Sequence, residues 1–367
     1  MHFFFPDNYR WSYNTLLAFA AGAEMGDFGE ILPVLSAQVG DDEAWRSAWL
    51  DLACTLETRA EGATGITRSE DLFLASLYHT ISEHFINPGD PRRLEGYYDV
   101  LRCFERARDA APFKMERVLV PFEDTALPAY FMPAIGQSTP CPTVIFVCGL
   151  DTTKELWFLR AREQFALRGM NCLFLDTPGV GEALRIQKLV TRYDYEKPVG
   201  AAVDYLASRP EVDISRIGLI GSSLGGYYAA RAAAFEPRLK ATIAWGAIYD
   251  YHRVWVERMA GNGSSAAPTF QLMFITGKTD MAAAIDHIRD FKVKDIAWRI
   301  KSPFLIMHGA EDLQVPLSDA QAMLDCIGSA DKTLTVFDGR NGGAAHTQFD
   351  NHLPALHHAA DWMQQKL

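Results

Sequence analysis

The segment that most limits the fold is Gly221-Ser222-Ser223-Leu224-Gly225-Gly226. Arg216-Ile217-Gly218-Leu219-Ile220 runs into it and reads as a strand. Tyr227-Tyr228-Ala229-Ala230-Arg231-Ala232-Ala233-Ala234 runs out of it and reads as a helix. A strand that turns into a helix through so short a link bends too sharply for side chains at the flanking positions, hence the glycines. The serine at the apex then stands above a sheet at a helix N-terminus, where the dipole favours developing negative charge. A bare Gly-x-Ser-x-Gly is a weak pattern and also fits a glycine-rich turn that merely packs a helix on a sheet. Set between a strand and a helix, it is specific, and Ser223 becomes the candidate nucleophile.

The rest of the chain agrees with that context. Strands are expected at 117–121, 127–132, 143–148, 171–175, 216–220, 241–245, 303–307 and 333–337. Helices are expected near 155–168, 195–209, 224–235, 317–328 and 354–365. Fully apolar strands alternating with amphipathic helices imply a mostly parallel sheet covered on both faces, here the α/β-hydrolase fold with eight strands. The interval 250–298 is too long for one crossover and is expected to add a helical insertion that helps to cover the site. Gly261-Asn262-Gly263-Ser264-Ser265 within it reads as mobile.

Residues 1–112 carry almost no strand signal. Helices are expected at 9–23, 27–38, 42–61, 68–86 and 91–110. Trp45, Trp49, Leu52 and Leu56 recur at helical spacing and give one apolar face, with Asp41 and Asp42 as N-cap candidates. The organisation expected is therefore a helical cap module over 1–112 and a hydrolase core over 113–367.

Composition excludes more than it selects. A net charge of −11 argues against nucleic-acid and anionic-membrane partners, since both require a basic face. The six cysteines include no C-x-x-C pair, so neither a metal site nor a disulfide framework is expected, and a reducing, cytoplasmic setting fits. The opening Met1-His2-Phe3-Phe4-Phe5-Pro6-Asp7 lacks the features of a signal peptide, and no apolar run is long enough to span a membrane. Gly179 and Gly181 follow a strand but lack the remainder of a dinucleotide fingerprint, so no cofactor is expected. The partner expected is a small-molecule carbonyl substrate.

A serine hydroxyl needs a base, and the fold places it after the last strand. His346, at the end of Arg340-Asn341-Gly342-Gly343-Ala344-Ala345, fits that position. His352, His357 and His358 fall on or near the final helix, and His308 at a strand end reads as structural. The orienting acid should follow the preceding strand, which makes Asp312 the first choice, Glu311 its neighbour and rival, and Asp250 a distant third. The oxyanion needs two backbone N–H donors. Leu224, next after the nucleophile, supplies one, and Leu150, next after Gly149, supplies the other. Asp151 and Lys154 read as a helix cap and a surface charge. Trp11, Tyr13, Phe28, Trp157, Phe158, Tyr227 and Tyr249 are candidates to line an apolar pocket, although aromatics at helical spacing are usually core.

Several segments together carry a family resemblance. They are Gly149-Leu150-Asp151-Thr152-Thr153-Lys154-Glu155, Leu175-Asp176-Thr177-Pro178-Gly179-Val180-Gly181-Glu182, 221–228, Trp245-Gly246 and 308–316, with the helical N-terminal module. The set resembles the α/β-hydrolase group of the 2,6-dihydroxypseudooxynicotine hydrolase and the fungal polyketide-shortening hydrolases. The resemblance implies a Ser223–Asp312–His346 triad, a helical region that closes over the site, and a homodimer. It implies hydrolysis of a carbon–carbon bond beside a ketone in a polyketide-like or aryl-ketone substrate. Ester or lactone hydrolysis, or acyl transfer within the substrate, is the alternative, and a non-catalytic ligand-binding protein a remote one. Some members carry an additional acid after the strand that ends here at Trp245. Glu257 is the nearest match and Asp250 the other, while Glu257 also reads as a solvated helix residue.

Overall fold

The computed structural model of the chain describes residues 4–367. The signal-peptide reading rests partly on Met1, His2 and Phe3, which lie outside the described residues.

Five helices open the chain: α1 (Tyr9–Ala20), α2 (Met25–Ala37), α3 (Asp42–Glu61), α4 (Gly65–Glu83) and α5 (Pro91–Ala110). Their starts follow capping chemistry. Asp41 accepts from the N–H groups of Glu43 and Ala44 at 3.0 and 3.3 Å, and Asp90 accepts from Arg92 N–H with Pro91 in the first turn. Trp45, Trp49, Leu52 and Leu56 form the buried face of α3.

The first strand, β1 (Glu116–Phe122), pairs with β2 (Thr125–Met132). Then come β3 (Cys141–Val147), α6 (Lys154–Ala161), β4 (Asn171–Leu175), α7 (Gly181–Arg185), α8 (Glu196–Ala207) and β5 (Val212–Ser222). They are followed by α9 (Leu224–Phe235), β6 (Leu239–Trp245), α10 (Tyr251–Met259), α11 (Phe270–Thr276) and α12 (Met281–His287). The chain closes with β7 (Phe304–Gly309), α13 (Leu317–Cys326), β8 (Lys332–Phe337) and α14 (His352–Lys366).

The eight strands form one sheet in the order β1-β2-β4-β3-β5-β6-β7-β8, with the β1–β2 and β2–β4 pairs antiparallel and the rest parallel. This is the α/β-hydrolase arrangement the strand pattern implies. Alternate side chains of each strand feed two cores. Phe146, Phe174 and Trp245 on one face share a core with Trp11, Trp45 and Phe73 of the N-terminal helices. Ile145, Leu173 and Leu219 on the other face pack with α8, α9 and the 250–300 segment. The N-terminal helices thus sit directly on the sheet. Val147 opposite Gly221, Ser222 opposite Trp245, and Gly309 opposite Phe337 bring the carboxyl ends of the strands to one edge, where the site is built.

One local difference from the sequence reading has a physical cause. The helix expected over 155–168 stops at Ala161, because Arg162 takes a left-handed φ of 46°, and a separate short turn follows at Ala166–Arg168. In the Gly261–Ser265 stretch, Ser264 N–H donates to Leu313 O at 3.0 Å. No helix among the described residues is long and apolar enough to cross a membrane. All six cysteines are free thiols.

Candidate active site

Ser223 sits between β5 and α9 with φ 60° and ψ −123°, a conformation costly for a residue with a side chain and characteristic of strained functional turns. The surrounding glycines permit it. A Cβ on Gly221 would lie 2.0 Å from Gly225 O, and one on Gly225 would lie 2.8 Å from Cys148 O. The turn is pinned by Ser223 N–H donating to Trp245 O at 2.7 Å and Gly226 N–H donating to Ser223 O at 2.8 Å.

His346 Nε2 lies 2.8 Å from Ser223 Oγ, and His346 Nδ1 lies 2.6 Å from Asp312 Oδ2. The Asp312 side chain is wholly buried, with Oδ1 accepting from Gln314 N–H and Val315 N–H at 2.8 and 2.9 Å. Burial pushes its carboxyl up, but the facing His346 imidazole, its hydrogen bond, nearby His308 and the Val315 N–H outweigh burial and hold it below the usual carboxylate range. His308 is buried behind this set and bonds Val315 O at 3.0 Å through Nε2, a structural role. The loop carrying His346 is locked. Asp350 accepts from Ala344 N–H and Ala345 N–H at 2.9 and 3.0 Å, and Trp245 Nε1 donates to Gln348 Oε1. Thr347 and Gln348 take left-handed φ of 52° and 55°, strain that those bonds hold in place.

Leu224 N–H points from the start of α9, and Leu150 follows Gly149 in the loop after β3. Among the described residues, neither N–H has an acceptor. Gly149 N–H is held by Thr152 Oγ1 at 2.9 Å, and Leu150 O accepts from Gln271 Nε2 at 3.2 Å. Gln271 in turn accepts from Arg93 Nη2 at 2.7 Å, and Arg93 pairs with Glu83, which also pairs with Arg185. The loop is therefore braced by a buried polar chain that runs into the N-terminal helices.

Two residues of this loop differ from their sequence reading. Thr153, not Asp151, caps α6, and Asp151 lines the cavity at Ser223. Lys154 is no surface charge. Its side chain is wholly buried, bonding Asp176 at 2.9 Å and Glu182 at 2.7 Å, with Glu155 at ion-pair distance, 2.7 Å, but not aligned for a hydrogen bond. Those three carboxylates have the spacing of a metal site, but Lys154 Nζ already supplies the cation among them. Glu57, His79 and Cys103 also cluster, and there Glu57 is paired with Arg102 and His79.

The space around Ser223 is about 40 Å³, lined by Tyr13, Asn14, Leu150, Asp151, Tyr251, Arg258 and Gln314 among others. That is room for a few waters, whereas drug-sized ligands need about 300 Å³ or more. A cleft of about 610 Å³ lies between α1, α4, α6 and the start of α14, and Phe349 lines both spaces. A ligand passing from this cleft to Ser223 would have to displace Phe349.

Glu257 and Asp250, the candidates for an additional acid, do not line this cavity. Glu257 is half-exposed and pairs with Arg253 at 2.9 Å. Asp250 accepts from Arg253 N–H at 2.9 Å as the N-cap of α10. The same helix instead turns Tyr251 and Arg258 toward Ser223. Of the aromatic candidates only Tyr13 lines the cavity. Trp11, Phe28, Trp157, Phe158 and Tyr227 are core, and Tyr249 lies near Cys326.

The chain matches the family described as "FrsA-like: Esterase FrsA-like" over residues 38–367. It is 29% identical over 298 residues to the 2,6-dihydropseudooxynicotine hydrolase of Paenarthrobacter nicotinovorans, covering 80% of this chain and 77% of that one. It is 33% identical over 294 residues to the alpha/beta hydrolase ucsC of an Acremonium species, covering 70% of this chain but 57% of that relative, little more than half its length. The crystal structure of the 2,6-dihydroxy-pseudo-oxynicotine hydrolase superposes with a TM-score of 0.82 at 26% identity, covering 96% of this chain and 95% of that one.

Proposed function

Because the chain belongs to the FrsA-like esterase family and is an α/β-hydrolase, we propose that it hydrolyses a carbon–carbon bond beside a ketone through an acyl-enzyme on Ser223. The observation that carries this reading is the continuous hydrogen-bonded line Ser223 Oγ–His346–Asp312, at 2.8 and 2.6 Å. Asp312 holds the imidazole with Nε2 free to take the serine proton, and Ser223 adds to the carbonyl carbon. Leu150 and Leu224 N–H groups receive the oxyanion. The acyl group stays on Ser223 while the departing carbon takes a proton, and water then releases a carboxylic acid. The family resemblance read in the sequence favours the carbon–carbon reading over a plain esterase, and the similarity along nearly the whole chain to the 2,6-dihydroxy-pseudo-oxynicotine hydrolase agrees with that resemblance.

Ester or lactone hydrolysis, or acyl transfer within the substrate, is the second reading, favoured by the family's description as esterases. The N-terminal helices act as a cap, and the enzyme works as a cytoplasmic homodimer. Sedimentation should give one species of about twice the 40.9 kDa chain mass.

Turnover of aryl ketones and 1,3-diketones in ¹⁸O-water tests the reading. The expected result is one ¹⁸O in the carboxylic acid product and no product from Ser223→Ala. Turnover of esters and lactones alone would favour the second reading.

A further inference from the structure

Cleavage beside a ketone leaves an electron pair on carbon, and the structure assigns where that charge goes. We propose that Tyr251 and Arg258 receive the second carbonyl oxygen of a 1,3-dicarbonyl substrate and hold the departing group as an enolate. This rests on the carbon–carbon reading above and narrows its substrate class.

Tyr251 and Arg258 stand two turns apart on α10 and so share one face. Both line the cavity that contains Ser223 and His346. The Tyr251 ring is buried, and its hydroxyl lies beside the Trp255 indole without a well-aligned hydrogen bond. Arg258 donates from Nη2 to Gln314 O at 3.0 Å and rests its guanidinium 5.1 Å from the Trp255 ring centroid, while its Nε is buried without an acceptor. Tyr251 Oη and Arg258 Nε are thus free to serve whatever fills the cavity, water at rest and a substrate oxygen in its place. A cation and a phenol together fit an oxygen that gains negative charge during the reaction. Asp151 lines the same cavity and faces Arg258 and Tyr251, so the Arg258 cation also offsets its charge. Leu150 and the start of α9 serve the scissile carbonyl, and α10 serves the other side.

The step balances. Ser223 Oγ bonds to the acyl carbon as its proton passes to His346 Nε2. The tetrahedral oxyanion re-forms C=O and expels the carbon–carbon pair, which delocalises into the second carbonyl as an enolate. The enolate oxygen accepts from Arg258 and Tyr251, and its carbon takes the proton from His346, releasing a ketone. Water, deprotonated by His346, opens the acyl ester, and that proton returns to Ser223. One diketone and one water become one ketone and one carboxylic acid.

The test compares aryl 1,3-diketones with 4-nitrophenyl esters of the same acyl groups, in Arg258→Met, Arg258→Lys and Tyr251→Phe. Loss of a charge-assisted hydrogen bond should lower kcat on the diketone about 10- to 100-fold, and at least tenfold more than on the ester. Arg258→Lys should recover part of the loss. Dimedone, an enolate anion at neutral pH, should inhibit the wild type competitively and bind Arg258→Met at least tenfold more weakly. Fluorophosphonate labelling of Ser223 reports that each variant is folded. Equal losses on both substrates, or unchanged dimedone binding, would overturn the assignment and leave carbon–carbon cleavage standing. A wild type that cleaves aryl ketones but no diketone would overturn this assignment alone, and one that turns over esters but neither ketone class would remove both readings together.

Discussion

Tyr13 Oη donates to the backbone oxygen of His346 at 3.1 Å, joining residues 333 positions apart in sequence. The same hydroxyl lies 3.1 Å from Thr347 Oγ1, and the Tyr13 ring lies 5.2 Å from that of Phe349. Helix α1 therefore forms a wall of the site and holds the strained turn that carries the proposed base. Tyr13→Phe should cost about 1 kcal/mol in stability by chemical denaturation and lower kcat severalfold. An unchanged kcat would show that the His346 loop does not depend on α1.

Asp312→Asn should lower kcat about 10⁴-fold, because the amide favours the wrong imidazole tautomer. The substitution also has a pH signature. The folded carboxyl is held below its ordinary value, so its stabilisation is present above about pH 4 and is lost as pH falls through the depressed folded value. Denaturant titrations of the variant should show a flatter acid limb below about pH 4. An identical limb would mean that Asp312 is not held ionised by His346.

Three buried histidines set a second, higher pH limb. Burial lowers the pKa of His84, His308 and His352. The unfolded chain therefore binds protons that the folded chain does not once pH drops below about 6.5, and stability should fall by up to about 1.4 kcal/mol per pH unit for each. His352 stacks on Trp245 at 5.3 Å beside Arg160, whose cation adds to the effect of burial. In urea titrations from pH 7 to pH 5, His352→Phe should remove about one proton of that slope. A slope unchanged in the variant would contradict a neutral His352.

Phe349 lines both the small space at Ser223 and the larger cleft, and Arg160 lies 4.4 Å from its ring centroid. Phe349→Ala should raise kcat/KM for long acyl esters relative to short ones, while costing about 3 kcal/mol in stability. A fixed preference across chain lengths would show that substrate enters elsewhere.

What the sequence made legible was what local rules determine. The strand–glycine–serine–glycine–helix order placed Ser223, and chain order alone brought Asp312 and His346 to hydrogen-bonding distance. Less legible were the parts that depend on helix phase and on distant segments meeting. Glu257 and Arg258 are adjacent, and only the setting of α10 on the sheet decides that Arg258 faces the cavity while Glu257 pairs with Arg253. Lys154 looks like any surface lysine until Asp176, just past β4, and Glu182, on α7, arrive beside it. The brace from Gln271 through Arg93 to Glu83 joins three separate stretches and leaves no spacing to read. That Tyr251 Oη lines the cavity is visible only once packing is known.

The most direct test of the account is intact-mass analysis after treatment with a fluorophosphonate. The expected result is a single adduct on the wild type, mapped by peptide mass to Ser223, absent in Ser223→Ala and formed far more slowly in His346→Ala. An adduct that persists in Ser223→Ala, or a wild type that takes none, would contradict Ser223 as the nucleophile.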